Sequence, residues 1–382
     1  MLTVLSVIGT RPEAIKMAPV VRELRSHTAS LRSVVCATGQ HRDMLDPVFR
    51  LFGVEPDHDL DVMESDQALA RLTAHLLERL DKLVASVRPD WILAQGDTTT
   101  VLAASLVALY RRASFGHVEA GLRTGDFGHP FPEEANRCVA DRLATLMFAP
   151  TERAREALLA EGADETRIIL TGNTVIDALR WAAEIPYGWA SGPLAAIPAD
   201  ARLVLVTAHR RESFGEPLRQ IGRAVRRLAE RFAPDAVHFV YPVHPNPNVR
   251  KPALALLTGV PNVHLVSPLD YLSMVHLMKR STLILTDSGG LQEEAPGLRV
   301  PVLVLRHTTE RPEAVEAGVA KLVGTVADRI VEEATRLLTD SQAHAAMARG
   351  AHPYGDGKAA QRIVDALLAR PRVSLSGPGA GP

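Results

Sequence analysis

The chain has 382 residues, a formal net charge of -1 and two cysteines. Its length exceeds one ordinary hydrophobic core, so we expect two domains. The near-neutral charge provides no basic field for nucleic acid or a membrane surface, and no apolar run is long enough to span a membrane. Cys36 and Cys138 are too few for a disulfide framework or a thiolate metal site, so we expect buried thiols.

The first residues show no targeting signal. Met1 leads directly into a strand-length apolar run, without a cationic lead or a small-residue cleavage site. We therefore expect a soluble cytoplasmic protein.

Strand-like apolar runs alternate with helix-length amphipathic stretches, which is typical of parallel sheets covered by helices. The runs of the first half are Thr3 to Ile8, Ser33 to Ala37, Trp91 to Gln95, Phe115 to Val118, Leu146 to Ala149 and Ile168 to Leu170. Those of the second half are Leu203 to Val206, His238 to Tyr241, Val263 to Val266, Leu283 to Thr286, Val302 to Leu305 and Lys321 to Val323. Proline and glycine become dense from Glu184 to Pro193, where we place a linker. The pattern predicts two doubly wound α/β domains.

The stretch from Asp287 to Pro296 predicts an anion site. It follows a buried strand, and we expect a helix to begin near Leu291 after two glycines. A helix amino terminus with little side-chain bulk suits a phosphate. Glu293 and Glu294, in the expected first turn, either balance the helix dipole or accept hydrogen bonds from ribose hydroxyls. Many glycine turns serve backbone geometry alone, so that alternative stays open.

Acidic side chains follow strands or open helices in the first half. Asp97 and Glu119 each follow an apolar strand, and Glu133 opens a helix. Taken one at a time, each acid has a simpler explanation. Asp97 could cap a helix, Glu119 could pair with Arg123, and Glu133 could interact favourably with the helix dipole. Together they fall where a doubly wound sheet gathers its ligands. Three crowded carboxylates would suit proton transfer, because crowding and desolvation raise carboxylate pKa values.

Other strand ends carry cations and histidines. Gly9 to Lys16 is either an anion-facing loop or a capped helix start, and Thr207 to Ser213 and Pro242 to Pro247 follow strands of the second half. No H-x-x-x-H or Cys/His spacing supports a metal, so phosphate, ribose or uracil contacts are favoured. The absence of G-x-G-x-x-G and G-x-x-x-x-G-K-[ST] disfavours a dinucleotide oxidoreductase or a P-loop enzyme.

With these segments assembled, the chain resembles the non-hydrolysing UDP-N-acetylglucosamine 2-epimerases of bacteria. The likeness runs from Gly9 to about Leu368. It rests on Gly9 to Pro19, Gln95 to Thr100, His117 to Thr124, Pro132 to Arg137, Thr171 to Leu179, His209 to Glu212, Asp287 to Pro296 and Thr309 to Glu313.

The resemblance implies a GT-B fold, with two Rossmann-like domains and the active site in the cleft between them. With the linker placed above, we expect residues 1–183 to form the first domain and 194–358 the UDP-binding domain. The resemblance implies that a helix at 359–370 packs back on the first domain, and the Gly/Pro-rich composition of 371–382 predicts a disordered tail. The resemblance implies a homodimer without cofactor or metal that interconverts UDP-GlcNAc and UDP-ManNAc and feeds surface polysaccharide synthesis. Anti elimination of UDP to 2-acetamidoglucal and re-addition of UDP is the implied route.

The resemblance also implies roles for individual residues. The catalytic set is Asp97, Glu119, Glu133 and His209. The substrate-binding set is Arg11, Lys16, Arg137, Met274, Ser288, Gly289, Gly290, Glu294 and Arg311. Some relatives are activated by a second UDP-GlcNAc, and the positions matching that site are Gln40, Arg211 and His244.

Two positions depart from the family pattern. Ser213 stands where many relatives carry Asn, and Met274 stands where many have an aromatic residue near uracil. Three other functions stay open at this point: a GT-B glycosyltransferase with a UDP-sugar donor, a hydrolysing epimerase that releases free ManNAc, and a nucleotide-sugar-binding regulator without turnover.

Overall fold

The computed structural model describes residues 1–39, 42–62, 64, 67–233, 236–350 and 352–370. The predicted tail, 371–382, lies outside these residues. The chain forms two compact units: unit 1 contains Met1–Ala178 and the chain from Tyr354 onward, and unit 2 contains Leu179–Pro353. Each has one parallel sheet with helices, so the prediction of an α/β chain with two doubly wound sheets is confirmed.

Unit 1 contains a seven-stranded parallel sheet. Its strands are β1 (Leu2–Ile8), β2 (Leu31–Ala37), β3 (His58–Asp59), β4 (Trp91–Gln95), β5 (Ser114–Val118), β6 (Leu146–Ala149) and β7 (Ile168–Leu170). The strand order is β3-β2-β1-β4-β5-β6-β7. All five residues of β4 are buried, as expected for a central strand with helices on both faces.

The sequence did not predict β3. It consists of two exposed polar residues that pair with Cys36 and Ala37 of β2 at the edge of the sheet. Strand prediction depends on apolar or alternating residues. An edge strand this short and polar gives neither pattern.

The helices of unit 1 follow its strands in sequence. They are α1 (Arg11–Ser26), α2 (Arg42–Phe52), α3 (Leu69–Val87), α4 (Thr99–Arg111), α5 (Glu133–Leu143), α6 (Glu152–Ala160) and α7 (Thr174–Glu184). Helix α7 begins in unit 1 and ends in unit 2. The expected linker segment follows it.

The last described helix returns to unit 1. Asp177 on α7 accepts hydrogen bonds from the N–H groups of Ala359 and Ala360, at 3.2 and 2.9 Å. These are the first residues of that helix (Ala359–Leu368), which packs against α1. An acidic side chain therefore satisfies N–H groups that lack partners within the helix.

Unit 2 contains a six-stranded parallel sheet. Its strands are β8 (Arg202–Thr207), β9 (Val237–Pro242), β10 (Val263–Val266), β11 (Ser281–Thr286), β12 (Val302–Val304) and β13 (Ala320–Leu322). Their order is β10-β9-β8-β11-β12-β13. The helices are α8 (Glu216–Phe232), α9 (Pro247–Leu257), α10 (Tyr271–Arg280), α11 (Gly289–Gly297), α12 (Pro312–Glu316), α13 (Ala327–Thr339) and α14 (Ser341–Ala348), and the helix of unit 1 at Ala359–Leu368 is α15.

Each unit has its own apolar core. In unit 1, Leu5, Ile92 and Phe115 from adjacent strands are buried under helices that include α3 and α4. In unit 2, Val204 and Phe239 are buried beneath α8 and α13. No helix among the described residues is both long and apolar enough to cross a membrane.

Candidate active-site residues in each unit

Both sheets reverse their strand order at one point, and the predicted site residues follow the strands at those points. In unit 1 the reversal lies between β1 and β4, and in unit 2 between β8 and β11. Open α/β sheets bind ligands outside the carboxyl ends of strands at such positions. Arg11 opens the helix after β1 and Asp97 lies in the loop after β4, and the loops after β8 and β11 contain His209 and Ser288.

Asp97 lies between β4 and α4, and its carboxylate contacts the Arg137 guanidinium on α5. Asn136 Nδ2 donates a 2.9 Å hydrogen bond to the Asp97 carbonyl. The N-cap of α4 is Thr98, so the alternative that Asp97 is merely the helix cap does not hold. The side chain of Asp97 keeps 29% exposure, so it is accessible while α5 holds its orientation.

Glu119 follows β5, and donors from three separate segments hold its carboxylate. Lys16 Nζ and Gln95 Nε2 contact it, and Asn173 Nδ2 donates to Oε1 at 2.9 Å. The backbone of Glu119 has a φ of +66°, in the left-handed region. Strained backbone of this kind clusters at functional sites, where the surroundings enforce it.

The expectation that Arg123 pairs with Glu119 is wrong. Arg123 contacts Asp141 and Glu161, each at 2.7 Å. Gly121, with a φ of +87°, reverses the chain between Glu119 and Arg123 and packs tightly on α6. A Cβ at Gly121 would lie 2.3 Å from the carbonyl oxygen of Ala154, so the turn requires glycine.

Glu133 is the first residue of α5 and is half-buried. Within the described part of the chain its carboxylate has no hydrogen-bond or ion-pair partner. The neighbouring Glu134 is buried and accepts hydrogen bonds from the N–H groups of Thr124 and Gly125, at 3.0 and 2.9 Å. Glu134 is therefore structural, whereas Glu133 has a carboxylate that no side chain engages.

The start of α1 is a capped helix start, which is one of the two interpretations that the sequence left open. Arg11 is its first residue, and Glu13 Oε2 accepts hydrogen bonds from the N–H groups of Gly9 and Thr10, at 2.5 and 3.2 Å. Burial raises the pKa of Glu13 to about 7. The side chain of Glu13 thus caps the start of α1. One turn further along the helix, Lys16 contacts the Glu119 carboxylate.

His209 of unit 2 lies beside a buried carboxylate. Asp287 is fully buried, and its Oδ2 accepts hydrogen bonds from the N–H groups of His209 and Arg210, both at 2.8 Å. Asp287 Oδ1 has no hydrogen-bond partner among the described residues and lies 3.6 Å from His209 Nδ1. Burial lowers the pKa of His209, and the Asp287 charge opposes that shift. The ring of His209 stacks on His244, with 5.6 Å between centroids.

The predicted anion site begins two residues earlier than expected. Helix α11 starts at Gly289 rather than near Leu291, and Ser288 is its N-cap. Glu293 and Glu294 therefore lie beyond the first turn, because the two glycines are themselves helical. Neither glycine has a positive φ, so their role is to leave space. The Arg210 guanidinium lies beside this end: its Nη2 would be 3.4 Å from a Cβ at Gly289.

The second turn of α11 places its acids against other residues of unit 2. Glu294 accepts a 2.9 Å hydrogen bond from the Tyr271 hydroxyl on α10, and both residues are buried. Met274 lies one turn further along α10 and is half-buried. Glu293 contacts Arg311, which makes Arg311 an ion-pair partner within unit 2. The hydrogen bond between Tyr271 and Glu294 thus joins α10, which carries Met274, to α11, which carries Glu294.

The residues matching an activator site differ in how they are placed. Gln40 lies outside the described residues. Arg211 and His244 are exposed in loops after β8 and β9. Ser213, the departure from the family pattern, is buried in the short helical turn Arg211–Ser213.

Cysteines and metal ligands add no further site. Cys36 is buried as expected, whereas Cys138 is only half-buried, which corrects that prediction. Cys138 lies on α5, next to a surface depression also lined by Asp141 and Arg167. No group of three or more His, Cys, Asp or Glu side chains suited to a metal occurs among the described residues.

Several residues that shape these sites had no assigned role in the sequence analysis. Gln95 and Asn173 lie within motifs quoted for the family resemblance. Their place in those motifs is the only sequence feature that indicates a role at the site. Asp287 belongs to the predicted anion-site stretch without a role of its own, although its carboxylate accepts a hydrogen bond from the N–H of His209. Tyr271 gave no local signal, because its contact with Glu294 joins two separate helices.

The family model "UDP-N-acetylglucosamine 2-epimerase" matches residues 22–368. The chain is 51% identical over 378 residues to the UDP-N-acetylglucosamine 2-epimerase of Escherichia coli K12, covering 97% of this chain and 100% of the relative. The Yersinia pestis enzyme of the same name is 51% identical over 370 residues, covering 95% and 98%.

Solved structures agree. The UDP-GlcNAc 2-epimerase from Neisseria meningitidis, bound to UDP-GlcNAc, has 46% identity and a TM-score of 0.86, covering 97% of this chain and 100% of that one. The Methanocaldococcus jannaschii enzyme, in complex with UDP-GlcNAc and UDP, has 31% identity and a TM-score of 0.77, covering 96% and 99%. The predicted GT-B fold class is thereby confirmed. The chain belongs to the UDP-N-acetylglucosamine 2-epimerase family.

Proposed function

We propose that this epimerase interconverts UDP-GlcNAc and UDP-ManNAc by anti elimination of UDP to 2-acetamidoglucal, followed by re-addition. The observation that carries the proposal is the group of carboxylates at the carboxyl ends of β4 and β5. Asp97 and Glu119 occupy neighbouring strand ends, and the Asp97 partner Arg137 lies one turn from Glu133. Inversion at C2 needs proton-handling groups for two faces of one sugar, which a single carboxylate would not provide.

The elimination step breaks two bonds together. A carboxylate takes the C2 proton, the C2–H electron pair becomes the C1=C2 double bond, and UDP leaves C1 with the electrons of the C1–O bond. In the return step a diphosphate oxygen bonds to C1, and C2 receives a proton from the opposite face. The net reaction is an isomerisation, so no oxidant or reductant is consumed. We assign Asp97, Glu119 and Glu133 to the acid and base roles as a set.

Unit 2 supplies the groups suited to UDP. The amino terminus of α11 offers the N–H groups that follow Ser288, and the Arg210 guanidinium lies beside it. Helix amino termini and guanidinium groups stabilise the charge that develops on a leaving diphosphate. We assign His209 to the same diphosphate, since the Asp287 carboxylate faces its Nδ1 and leaves Nε2 for the ligand.

The nucleoside part of the ligand is assigned to α10 and α11. The Glu294 carboxylate, held by Tyr271, is placed to accept ribose hydroxyls, and Met274 is assigned to the uracil ring. Arg11 and Lys16 are assigned to the phosphates or to the carboxylates beside them. An aliphatic thioether in place of an aromatic ring still offers a polarizable surface to a base.

Assembly, location and regulation complete the proposal. We infer a cytoplasmic homodimer. We also infer activation by a second UDP-GlcNAc at Arg211 and His244, since the His244 ring stacks on catalytic His209. Sigmoidal velocity curves that become hyperbolic in the His244→Ala variant support activation. Hyperbolic curves in both directions for the unaltered protein contradict it.

A proton NMR time course with UDP-GlcNAc tests the reaction. The proposal predicts that anomeric signals of UDP-ManNAc grow to a constant ratio, while free UDP and free sugar do not accumulate. Release of free ManNAc with UDP would identify a hydrolysing enzyme. Unchanged UDP-GlcNAc, despite measurable UDP binding, would identify a binding protein or a transferase that lacks its acceptor.

A further inference from the structure

His117 is a buried histidine between the two strand ends that carry Asp97 and Glu119. It lies on β5 with 0% exposure. Its Nδ1 is 2.5 Å from Asp141 Oδ1, and its Nε2 is 2.7 Å from the carbonyl oxygen of Gly96. Both ring nitrogens therefore have one close oxygen partner.

The partners determine the protons on the ring. A peptide carbonyl only accepts hydrogen bonds, so Nε2 must donate to Gly96. The second oxygen of Asp141 accepts from the N–H of Gly121 at 3.1 Å and from Arg123 at 2.7 Å. Since Arg123 is cationic and the Gly121 N–H only donates, Asp141 is held as a carboxylate, and Nδ1 must donate to it as well.

We propose that His117 is an imidazolium, protonated on both nitrogens at neutral pH, and that with Asp141 it positions Asp97 and Glu119. The charged groups that face the ring are Asp141 on α5, Asp97 after β4, and Arg123, which reaches the ring only through Asp141. The ring of Phe115 on the same strand lies 6.0 Å from it, centroid to centroid, and adds no charge.

The direction of the pKa values agrees with this geometry. Burial lowers the pKa of His117, but the Asp141 charge and hydrogen bonds to Asp141 and Gly96 more than offset it, and the net shift is upward. The pKa of Asp141 is lowered, because His117 and Arg123 outweigh the effect of its burial. Each member of the pair thus favours the charged form of the other.

The pair is connected to both predicted acids through the backbone. His117 holds the carbonyl of Gly96, which directly precedes Asp97, and Asp141 holds the N–H of Gly121, two residues after Glu119. Gly96 and Glu119 have φ values of +88° and +66°. Two turns with positive φ angles, one of them at the non-glycine residue Glu119, are therefore anchored to one buried ion pair. His117 is a positioning residue, because it reaches the proposed reaction only through these turns.

The protonation state can be read directly from long-range ¹H–¹⁵N NMR of enzyme labelled at the histidine rings. The proposal predicts that both ring nitrogens of His117 carry a proton at about pH 7, where an ordinary imidazole is mostly neutral. The His117→Gln variant assigns the signals by their loss. A His117 ring with one unprotonated nitrogen at about pH 7 would overturn the proposal.

The chain provides an internal control in a second histidine contact. His238 Nδ1 lies 2.8 Å from His264 Nε2, so one ring donates and the other accepts. Burial and then the His238 charge lower the pKa of His264, so the His264 ring should be neutral at about pH 7, in contrast to His117. In Asp141→Asn the anion is lost, and His117 should become a neutral ring with a proton on Nε2 alone.

The effect on turnover rests on the proposed function, whereas the protonation state rests on geometry alone. In His117→Gln we expect kcat to fall about a hundredfold, because loosened turns misplace both acids. The Kd for UDP should stay unchanged, since neither turn contains a residue assigned to UDP, and His238→Gln should keep full activity. Unaltered kcat in folded His117→Gln and in Asp141→Asn would overturn the positioning role. If the unaltered protein lacks epimerase activity, the proposed function fails, and the NMR result still decides the ionisation of His117.

Discussion

The Lys16 ammonium contacts the Glu119 carboxylate, although 103 positions separate the two residues in the chain. The sheet of unit 1 produces this contact, because β1 leads into α1 and β5 leads into the turn at Glu119. Gln95 and Asn173 contact the same carboxylate. A cation, two amides and a strained backbone thus fix one carboxylate, and its orientation depends on all of them.

Replacing Lys16 with methionine removes the cation and keeps the length of the side chain. We expect kcat/KM to fall on the order of a hundredfold, since one charged donor at a reacting site is removed. Steady-state assays in both directions measure the loss. Lys82→Met is the matched control, because Lys82 is exposed on α3, and it should retain full activity. Equal activity of the Lys16 and Lys82 variants would show that the contact is merely structural.

The Asp97→Asn variant separates binding from chemistry. The amide keeps the shape of the side chain but does not accept a proton, so turnover should fall by about a hundredfold or more. The affinity for UDP, measured by calorimetry, should be unchanged. Asp200→Asn, at an exposed position, serves as the control. Near-normal epimerisation by Asp97→Asn would remove Asp97 from the mechanism.

Tyr271→Phe tests the assignment of Glu294 to the nucleotide. Loss of the hydroxyl frees the Glu294 carboxylate from its 2.9 Å hydrogen bond, and we expect UDP to bind about tenfold more weakly. Tyr110 is 66% exposed, so Tyr110→Phe should bind UDP as tightly as the unaltered protein. A Tyr271→Phe variant with full UDP affinity would place the nucleotide elsewhere.

Much of this arrangement was readable from the sequence, and the reasons differ between elements. Buried strands such as Trp91–Gln95 have continuous apolar runs that need no tertiary information. Asp97 and Glu119 were predicted as site residues because polar side chains at strand ends converge in any doubly wound sheet. Their partners were not predictable in this way: Lys16 rather than Arg123 meets Glu119 because of how Gly121 turns the chain.

The pH dependence of stability should reveal the buried Glu13. Its pKa is about 7 in the folded protein, against an ordinary value of 4.5. Between these pH values the folded state keeps a proton that the unfolded chain has released. The free energy of unfolding therefore decreases as pH rises from about 4.5 to about 7 and gains no further contribution above that.

The Glu13→Gln variant lacks this titration. As pH rises from about 4.5 to about 7, the unfolding free energy of the variant should increase by about 3 kcal/mol relative to that of the unaltered protein. Urea denaturation at about pH 5 and about pH 8 gives the comparison, with exposed Glu332→Gln as control. If Glu13→Gln and Glu332→Gln show the same difference in unfolding free energy from the unaltered protein at each pH, the Glu13 carboxyl does not titrate as described.

Proton exchange at the sugar is the most direct test of the carboxylate set. UDP-GlcNAc is incubated with the enzyme in deuterated water until the two sugars reach a constant ratio, and the C2 position of each is examined by NMR. The account predicts deuterium at C2 of both UDP-ManNAc and recovered UDP-GlcNAc. The Asp97→Asn variant should incorporate little deuterium, and Asp200→Asn should incorporate as much as the unaltered protein. UDP-ManNAc formed with the original hydrogen still at C2 would contradict it.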